Sequence, residues 1–234
     1  MRYETRQSLE HFGAVELRVE ALASLDRTID LLFEELKKSG DERLLEDLCP
    51  YFGKVWPAAR GLVECLGELP GEELHGKRVL EVGCGLALPS LVLAQRGAKV
   101  TATDFHPDVP WFLARNQQAN GLDNLIDYLA LDWRKSDRPP VAWDLIVGSD
   151  ILYEKQHSGE VAEALHSLSG PSTTLYIGDP GRPYLQGFAD EMVQRGWRLE
   201  TKVFRVPDPP DLSPLPREIP WKDVFVLVFR GGRR

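Results

Sequence analysis

The chain has 234 residues, of which 43% are apolar, with a formal charge of −8 and three cysteines. That length suits one α/β domain with an extension, and no window approaches the roughly 18 apolar residues of a membrane helix. The acidic balance argues against nucleic acid as a partner, because tracking a phosphate backbone needs a basic stripe.

The N-terminal residues are polar and lack the apolar run of a signal peptide. Cys49, Cys65 and Cys84 are too few and too unevenly spaced for a disulfide framework or a metal site. A reducing, cytoplasmic setting is therefore expected, with no bound metal. Ala14 to Glu20 alternates and reads as a strand. Ala21 to Lys38 reads as an amphipathic helix, with Leu22, Leu25, Ile29, Leu32, Phe33 and Leu36 on one face and Ser39-Gly40 as its stop. Asp41 to Leu48 reads as a short second helix. An aromatic loop, Pro50 to Pro57, contains Trp56. Pro57 then opens a helix whose face is Ala59, Leu62, Val63 and Leu66. Gly67 to Gly76 is a polar linker. Residues 1–76 are thus expected to form an N-terminal helical cap, with too little apolar mass to stand alone, and residues 77–234 the main domain.

The main domain opens on Arg78 to Asp104. Val79 to Val82 has strand length, Gly83-Cys84-Gly85 turns, Leu86 to Gln95 has a helical apolar face, and Lys99 to Thr103 is a second strand closed by Asp104. Two glycines permit a sharp turn and close approach of a ligand. A carboxylate about 20 residues later, at the tip of the next parallel strand, is placed to accept hydrogen bonds from ribose hydroxyls. An adenosine-type cofactor is expected. Leu88 stands where a dinucleotide fingerprint needs its third glycine. Glu81, two residues before the first glycine, adds negative charge that suits an ammonium and a sulfonium better than phosphates. This E-x-G-x-G run resembles the first motif of the class I, seven-strand S-adenosylmethionine (SAM) methyltransferases.

Further on, Trp111 to Asn120 reads as a helix and Leu125 to Leu131 as a strand. A charged loop runs from Arg134 to Pro140, and a buried strand ends at Ser149-Asp150. Val161, Leu165 and Leu168 mark a helix, Thr173 to Gly178 a strand, and Leu185, Phe188, Ala189 and Met192 another helix. Trp197 to Val206 and Val224 to Arg230 are the last two strands. Alternation predicts a Rossmann-like, doubly wound, mostly parallel α/β sheet of seven strands, and the final pair predicts an antiparallel last strand. Between that pair, Pro207 to Pro220 holds six prolines. It is long for a hairpin connection, and reads either as a functional loop or as a solvated insertion. Gly231 to Arg234 reads as a frayed end.

In an open parallel sheet the site lies at the carboxyl ends of the strands. Gly83 and Gly85 arrive there after the first strand, Asp104 after the second, Asp132 and Trp133 after the third, and Ser149, Asp150 and Tyr153 after the fourth. Asp132 is positioned to accept from an adenine amino group and Trp133 to stack on the ring. The five histidines form no ligand spacing. His106 and His157 lie near the cleft and read as surface residues. Asp150-x-x-Tyr153 after the fourth strand, with Trp56-Pro57 upstream, resembles the protein lysine methyltransferases of methyltransferase family 16. The likeness covers about Pro50 to Leu168. It implies SAM as cofactor, a protein lysine as acceptor, Asp150 and Tyr153 lining the methyl-transfer site, and Trp56 packed near the cofactor. A small-molecule N-methyltransferase and a non-catalytic SAM-binding module are the competing readings. An NAD(P) oxidoreductase is disfavoured by Leu88 and Glu81. The oligomeric state is left open.

Overall fold

The structure is a computed structural model that describes residues 3–12, 15–40, 48–135, 142–209 and 218–232. Its first element is an antiparallel hairpin of β1 (Thr5–Phe12) and β2 (Val15–Leu22). Leu17, Val19 and Ala21 alternate along β2 and are buried, as a half-buried strand requires. Helix α1 (Leu25–Ser39) follows. Ser24 caps its start by accepting from the Arg27 N–H, and Gly40 ends it in the left-handed region with its N–H bonded to the Leu36 carbonyl. The short helix expected over Asp41 to Leu48 falls mostly outside the described residues. A 3₁₀ turn (Tyr51–Gly53), α2 (Pro57–Gly67) and the one-turn α3 (Gly71–Leu74) lead to the main sheet.

That sheet contains β3 (Arg78–Val82), β4 (Lys99–Asp104), β5 (Ile126–Ala130), β6 (Leu145–Ser149), β7 (Thr174–Asp179), β8 (Arg198–Pro207) and β9 (Trp221–Arg230), in the order β5-β4-β3-β6-β7-β9-β8. The pairs from β5 through β7 are parallel, and β9 is antiparallel to both β7 and β8. The connecting helices are α4 (Leu88–Gln95), α5 (Val109–Ala119), α6 (His157–Leu168) and α7 (Leu185–Gln194). This is the expected doubly wound arrangement with an antiparallel end.

Period-two alternation splits the core into two layers. Val79, Val100, Val147 and Val226 face one side and pack with Leu62, Leu66, Leu91 and Phe112 of α2, α4 and α5. Leu80, Val82, Ile146, Leu175 and Phe229 face the other, against Val161, Leu165, Phe188 and Met192 of α6 and α7.

The expectation of a helical cap over residues 1–76 needs correction. The segment opens with a β-hairpin, and its helix α2 belongs to the first core layer, in one cluster with residues from the hairpin and the sheet. Strand β1 escapes notice in the sequence because Arg6, Gln7, Ser8 and Glu10 leave it little apolar signal. The hairpin is tied to α2 by a two-pronged pairing of Arg60 with Glu10, whose Nε and Nη2 lie 3.1 and 3.0 Å from carboxylate oxygens. It is tied to α5 by two asparagines. Asn116 Oδ1 accepts from Glu20 N–H at 2.7 Å while its amide donates to Glu20 O at 3.3 Å. Asn120 does the same for Arg18, at 2.9 and 2.7 Å. The match is geometric: four helical residues rise about 6 Å and two strand residues about 6.8 Å.

Of the Pro-rich segment, residues 210–217 lie outside the described part, and Asp208 N–H bonds to the Pro220 carbonyl across its base at 2.8 Å. Residues 136–141 of the charged loop and the last two residues also lie outside it.

Candidate active site

Strand β3 sends its connection to β4 on one side, and β6 sends its own to β7 on the other. Between the carboxyl ends of these two strands a crevice must open, and doubly wound sheets place their ligands there. The structure has a cavity of about 750 Å³ at this place. It is walled by the loop after β3, the ends of β4 and β6, the 49–56 segment and Arg182.

The glycine loop is shaped first by the protein itself. Gly83 has φ 64° and Gly85 φ 50°, a region that favours glycine. A Cβ on Gly83 would lie 2.8 Å from Ile151 Cγ2 and 3.3 Å from the Trp133 ring, and one on Gly85 would lie 3.0 Å from the Phe52 carbonyl oxygen. The closeness the glycines permit is thus partly to neighbouring elements that form the cavity wall. Cys84 is buried between them, and burial raises its thiol well above the usual range, so it acts as apolar filler.

Asp104 lines the cavity. Its Oδ2 accepts from Gly85 N–H and its Oδ1 from His106 N–H, both at 3.0 Å. A carboxylate has about four lone-pair sites, so each oxygen keeps capacity for a ligand hydroxyl. Burial raises the Asp104 pKa, with the two backbone donors opposing it. Phe105 lies beside it in the wall, with the Arg134 guanidinium 5.5 Å from the ring centre.

Trp133 also lines the cavity, and its indole N–H is buried with no partner among the described residues. Trp56 lines the rim, held by its N–H to the Tyr51 carbonyl at 2.8 Å, with Lys54 Nζ 4.9 Å from its ring centre. Ser149, Asp150 and Tyr153 follow β6 into the same cavity. Asp150 has φ 60°, uncommon for a residue with a Cβ and often a mark of functional sites. Among the described residues its carboxylate is paired with Arg182 and has no well-aligned hydrogen bond. Burial pushes its pKa up to about 6 against the opposing charge of Arg182. Tyr153 is 40% exposed, at the mouth.

Two expected cofactor contacts are not in the cavity wall. Glu81 points into the α4 side of the sheet, fully buried, with Oε2 accepting from Ser90 N–H at 2.9 Å and from the Ser90 hydroxyl. Burial pushes its pKa up to about 8, so the group is mainly neutral at pH 7 and does not supply the negative charge expected of it. Asp132 is clamped by Arg134, at 2.8 and 2.9 Å, with Lys135 at 3.4 Å. Arg134 holds the Asp132 carboxyl below its ordinary value. Its neighbours Trp133 and Arg134 reach the cavity, and it does not. His106 and His157 are buried, not superficial. His106 lines the wall. His157 stands edge-on to Tyr153 at 4.5 Å and to Trp133 at 5.4 Å and braces both rings.

Sequence reasoning missed Lys54, Phe105, Arg134 and Arg182 as wall residues. Phe105 and Arg134 adjoin expected residues and were within reach of the strand-end argument. Arg182 follows β7, a strand for which no site residue was sought.

The residues fit an adenosine-bearing ligand with a second reactant beside it. Asp104 has open lone pairs, the Trp133 N–H lacks a partner, and the volume lies within the usual range for ligand sites. Among the described residues no cluster of side chains could hold a metal ion.

Order of strands and place of the crevice are those of the Rossmann-like methyltransferase fold. The solved 16S rRNA methyltransferase of T. thermophilus, in complex with AdoMet and guanosine, superposes with a TM-score of 0.63 at 17% identity, over 98% of this chain and 51% of that one. The chain belongs to the lysine methyltransferase family, whose model matches residues 45–184. It is similar to protein N-lysine methyltransferase METTL21A of Danio rerio, 34% identical over 128 residues that make up 53% of this chain and 58% of the relative. It is also similar to histone-arginine methyltransferase METTL23 of Xenopus laevis, 35% identical over 113 residues, or 45% and 47% of the two chains. The chain spans about half the length of these curated relatives.

Proposed function

We propose that this protein transfers a methyl group from SAM to the side-chain amine of a lysine in a protein. The observation that carries the reading is the position of Asp150 and Tyr153. Both follow β6 into the cavity that also holds the Gly83–Gly85 loop and Asp104. A cofactor site and a buried carboxylate therefore share one chamber. Family membership and the lysine-modifying relative support the acceptor class. The charge of −8 suits a protein target better than nucleic acid, and a cytoplasmic setting agrees with the cysteine usage. No helix among the described residues is long and apolar enough to cross a membrane.

SAM, when bound, supplies a methyl carbon already activated by a positive sulfur. Asp104 would hold the ribose, and Phe105, Trp133 and the glycine loop the adenosine. The chain's other task is to deliver an uncharged amine in line with that carbon. A free lysine has a pKa of about 10.4, so deprotonation at pH 7 costs about 4–5 kcal/mol. Desolvation and a nearby cation both lower that cost. The surplus proton of the methylated amine would leave to Asp150 or water. Asp150, charged for the most part at pH 7, orients the acceptor N–H. Tyr153 and Trp56 wall the entrance with aromatic faces that favour a cationic side chain on its way in.

The test is incubation of cell extract with methyl-labelled SAM and the protein, beside Asp150→Ala, with SAM affinity measured for both. A discrete labelled protein band, absent with the variant, and methyl-lysine on hydrolysis of that band are expected. Label confined to small molecules would replace the reading with a small-molecule N-methyltransferase. SAM binding without any transfer would replace it with a binding module. Equal loss of binding and transfer in Asp150→Ala would make Asp150 a cofactor ligand.

A further inference from the structure

The Asp-Pro-Gly-Arg turn after β7 brings a cation into the chamber from a part of the chain distant from the other site residues. Asp179 is fully buried. Its Oδ1 accepts from the backbone N–H groups of Gly181 at 2.8 Å and Arg182 at 2.7 Å, and its Oδ2 accepts from Arg182 Nη1 at 3.3 Å. One carboxylate therefore fixes both the turn and the guanidinium that leaves it. The same Nη1 lies against Asp150 Oδ1 as an ion pair. Asp150 needs such support. Its side chain is buried, it sits at a positive φ, and among the described residues only Arg182 and the Ala58 backbone N–H support its charge. A buried carboxylate without a partner tends to take up a proton.

We propose that Arg182 is a positioning residue of the transfer site: clamped by Asp179, it holds the Asp150 carboxylate in place and charged to receive the acceptor N–H. The proposal rests on the reading of the chamber as a methyl-transfer site and adds to it how the acceptor is handled. A lone carboxylate beside a lysine amine would raise the amine's pKa and hold it as the unreactive ammonium. A guanidinium on the far side of that carboxylate offsets the effect, so Asp150 can orient the amine without locking its proton on. Arginine suits this task because its planar fork reaches two carboxylates at once and stays charged at any working pH.

The groups facing Asp150 come from several elements. Arg182 and Asp179 come from the turn after β7, and the backbone N–H of Ala58 in the first turn of α2 also favours the charged form. Around the chamber stand Lys54, Asp104, His106, Arg134, Tyr153 and Glu154. Among the described residues, Arg182 is the cation in contact with Asp150.

Full-length protein saturated with SAM would be compared as wild type, Arg182→Ala and Arg182→Lys. Three quantities are read: the carboxyl midpoint of Asp150 by ¹³C NMR, assigned with Asp150→Asn; SAM affinity; and the pH profile of kcat/KM on the labelled target. In Arg182→Ala the Asp150 midpoint rises by at least about one pH unit. The acid limb of kcat/KM moves up with it, SAM affinity stays within about twofold, and Arg182→Lys recovers most of the shift. An unchanged Asp150 midpoint overturns the proposal. So does a parallel loss of SAM binding and transfer with the acid limb in place and no recovery by lysine, which marks a merely structural residue. Should Arg182→Ala fail to fold, Arg182→Gln keeps length and hydrogen bonding without charge and reads the same shift. If the wild type binds SAM but methylates nothing, the functional reading fails, while the NMR midpoint still decides whether Arg182 holds Asp150 charged.

Discussion

Replacing Glu81 by glutamine should stabilise the protein at neutral and alkaline pH. The side chain is fully buried, Ser90 supplies hydrogen bonds to one oxygen only, and the other oxygen has no partner among the described residues. Burial pushes the pKa up to about 8 from an ordinary value of 4.5. The folded state thus holds this proton more tightly than the unfolded chain does. The stabilisation is complete below about pH 4.5 and is lost as pH rises towards 8. At about 1.36 kcal/mol per pH unit, the loss amounts to about 3 kcal/mol at pH 7 and about 5 kcal/mol above pH 8. A carboxamide keeps an acceptor for Ser90 and places an N–H₂ where the protonated acid has its unpaired O–H, so the two are nearly matched in acid. Urea titrations at pH 4, 7 and 9, compared at equal slope, should show midpoints that nearly coincide at pH 4 and separate in favour of Glu81→Gln as pH rises. Asp104 and Asp150 also have raised pKa values, and the Asp104 charge is one cause of the raised Glu81 value, so the difference reads Glu81 together with its coupling to Asp104. Parallel curves across this range would refute the argument that burial keeps this carboxyl neutral.

Gly83→Ala should destabilise the fold by about 2–4 kcal/mol, from a left-handed backbone and overlap with Ile151. In a chain of this size that is a fall of roughly 5–15 °C in Tm by circular dichroism. Asp104→Asn should weaken SAM binding by about 10-fold or more in calorimetry, since charge-assisted hydrogen bonds contribute about 1.5–3 kcal/mol. Unchanged affinity would remove Asp104 from the cofactor site. Asn116→Ala leaves a buried Glu20 N–H without its acceptor and should cost about 1–3 kcal/mol in urea denaturation, with SAM affinity little changed.

Most of the sheet was legible in the sequence. Buried parallel strands write themselves as apolar runs, and Val79–Val82 and Leu145–Val147 are such runs bounded by glycine or an acidic residue. Residues at strand ends follow from topology alone, which is why Gly83, Gly85, Asp104, Trp133, Ser149, Asp150 and Tyr153 could be assigned to one crevice before any coordinates. What stayed hidden depends on contacts between distant segments. Glu81 and Asp132 have the right residue type and spacing, yet a neighbour captures each side chain: Ser90 for one, Arg134 for the other. Arg182 lies 32 positions after Asp150 by residue number, and only the pairing of β6 with β7 brings them together. Strand β1 carries its burial on too few residues to alternate visibly.

The two asparagines of α5 have a consequence beyond stability. The outward backbone groups of Arg18 and Glu20 form the free edge of β2, and an open strand edge is a template on which a passing chain can pair. Asn116 and Asn120 each give and take one hydrogen bond there, so the helix fills the place a third strand would occupy. A two-stranded hairpin is marginal by itself. Here the carboxamides that secure it also occupy the groups of Arg18 and Glu20 that another copy of the chain could otherwise join. Leucine at both positions would keep the packing volume but leave those backbone groups unpaired under the helix, and a hairpin that loosens from α5 and bares its edge would be the symptom.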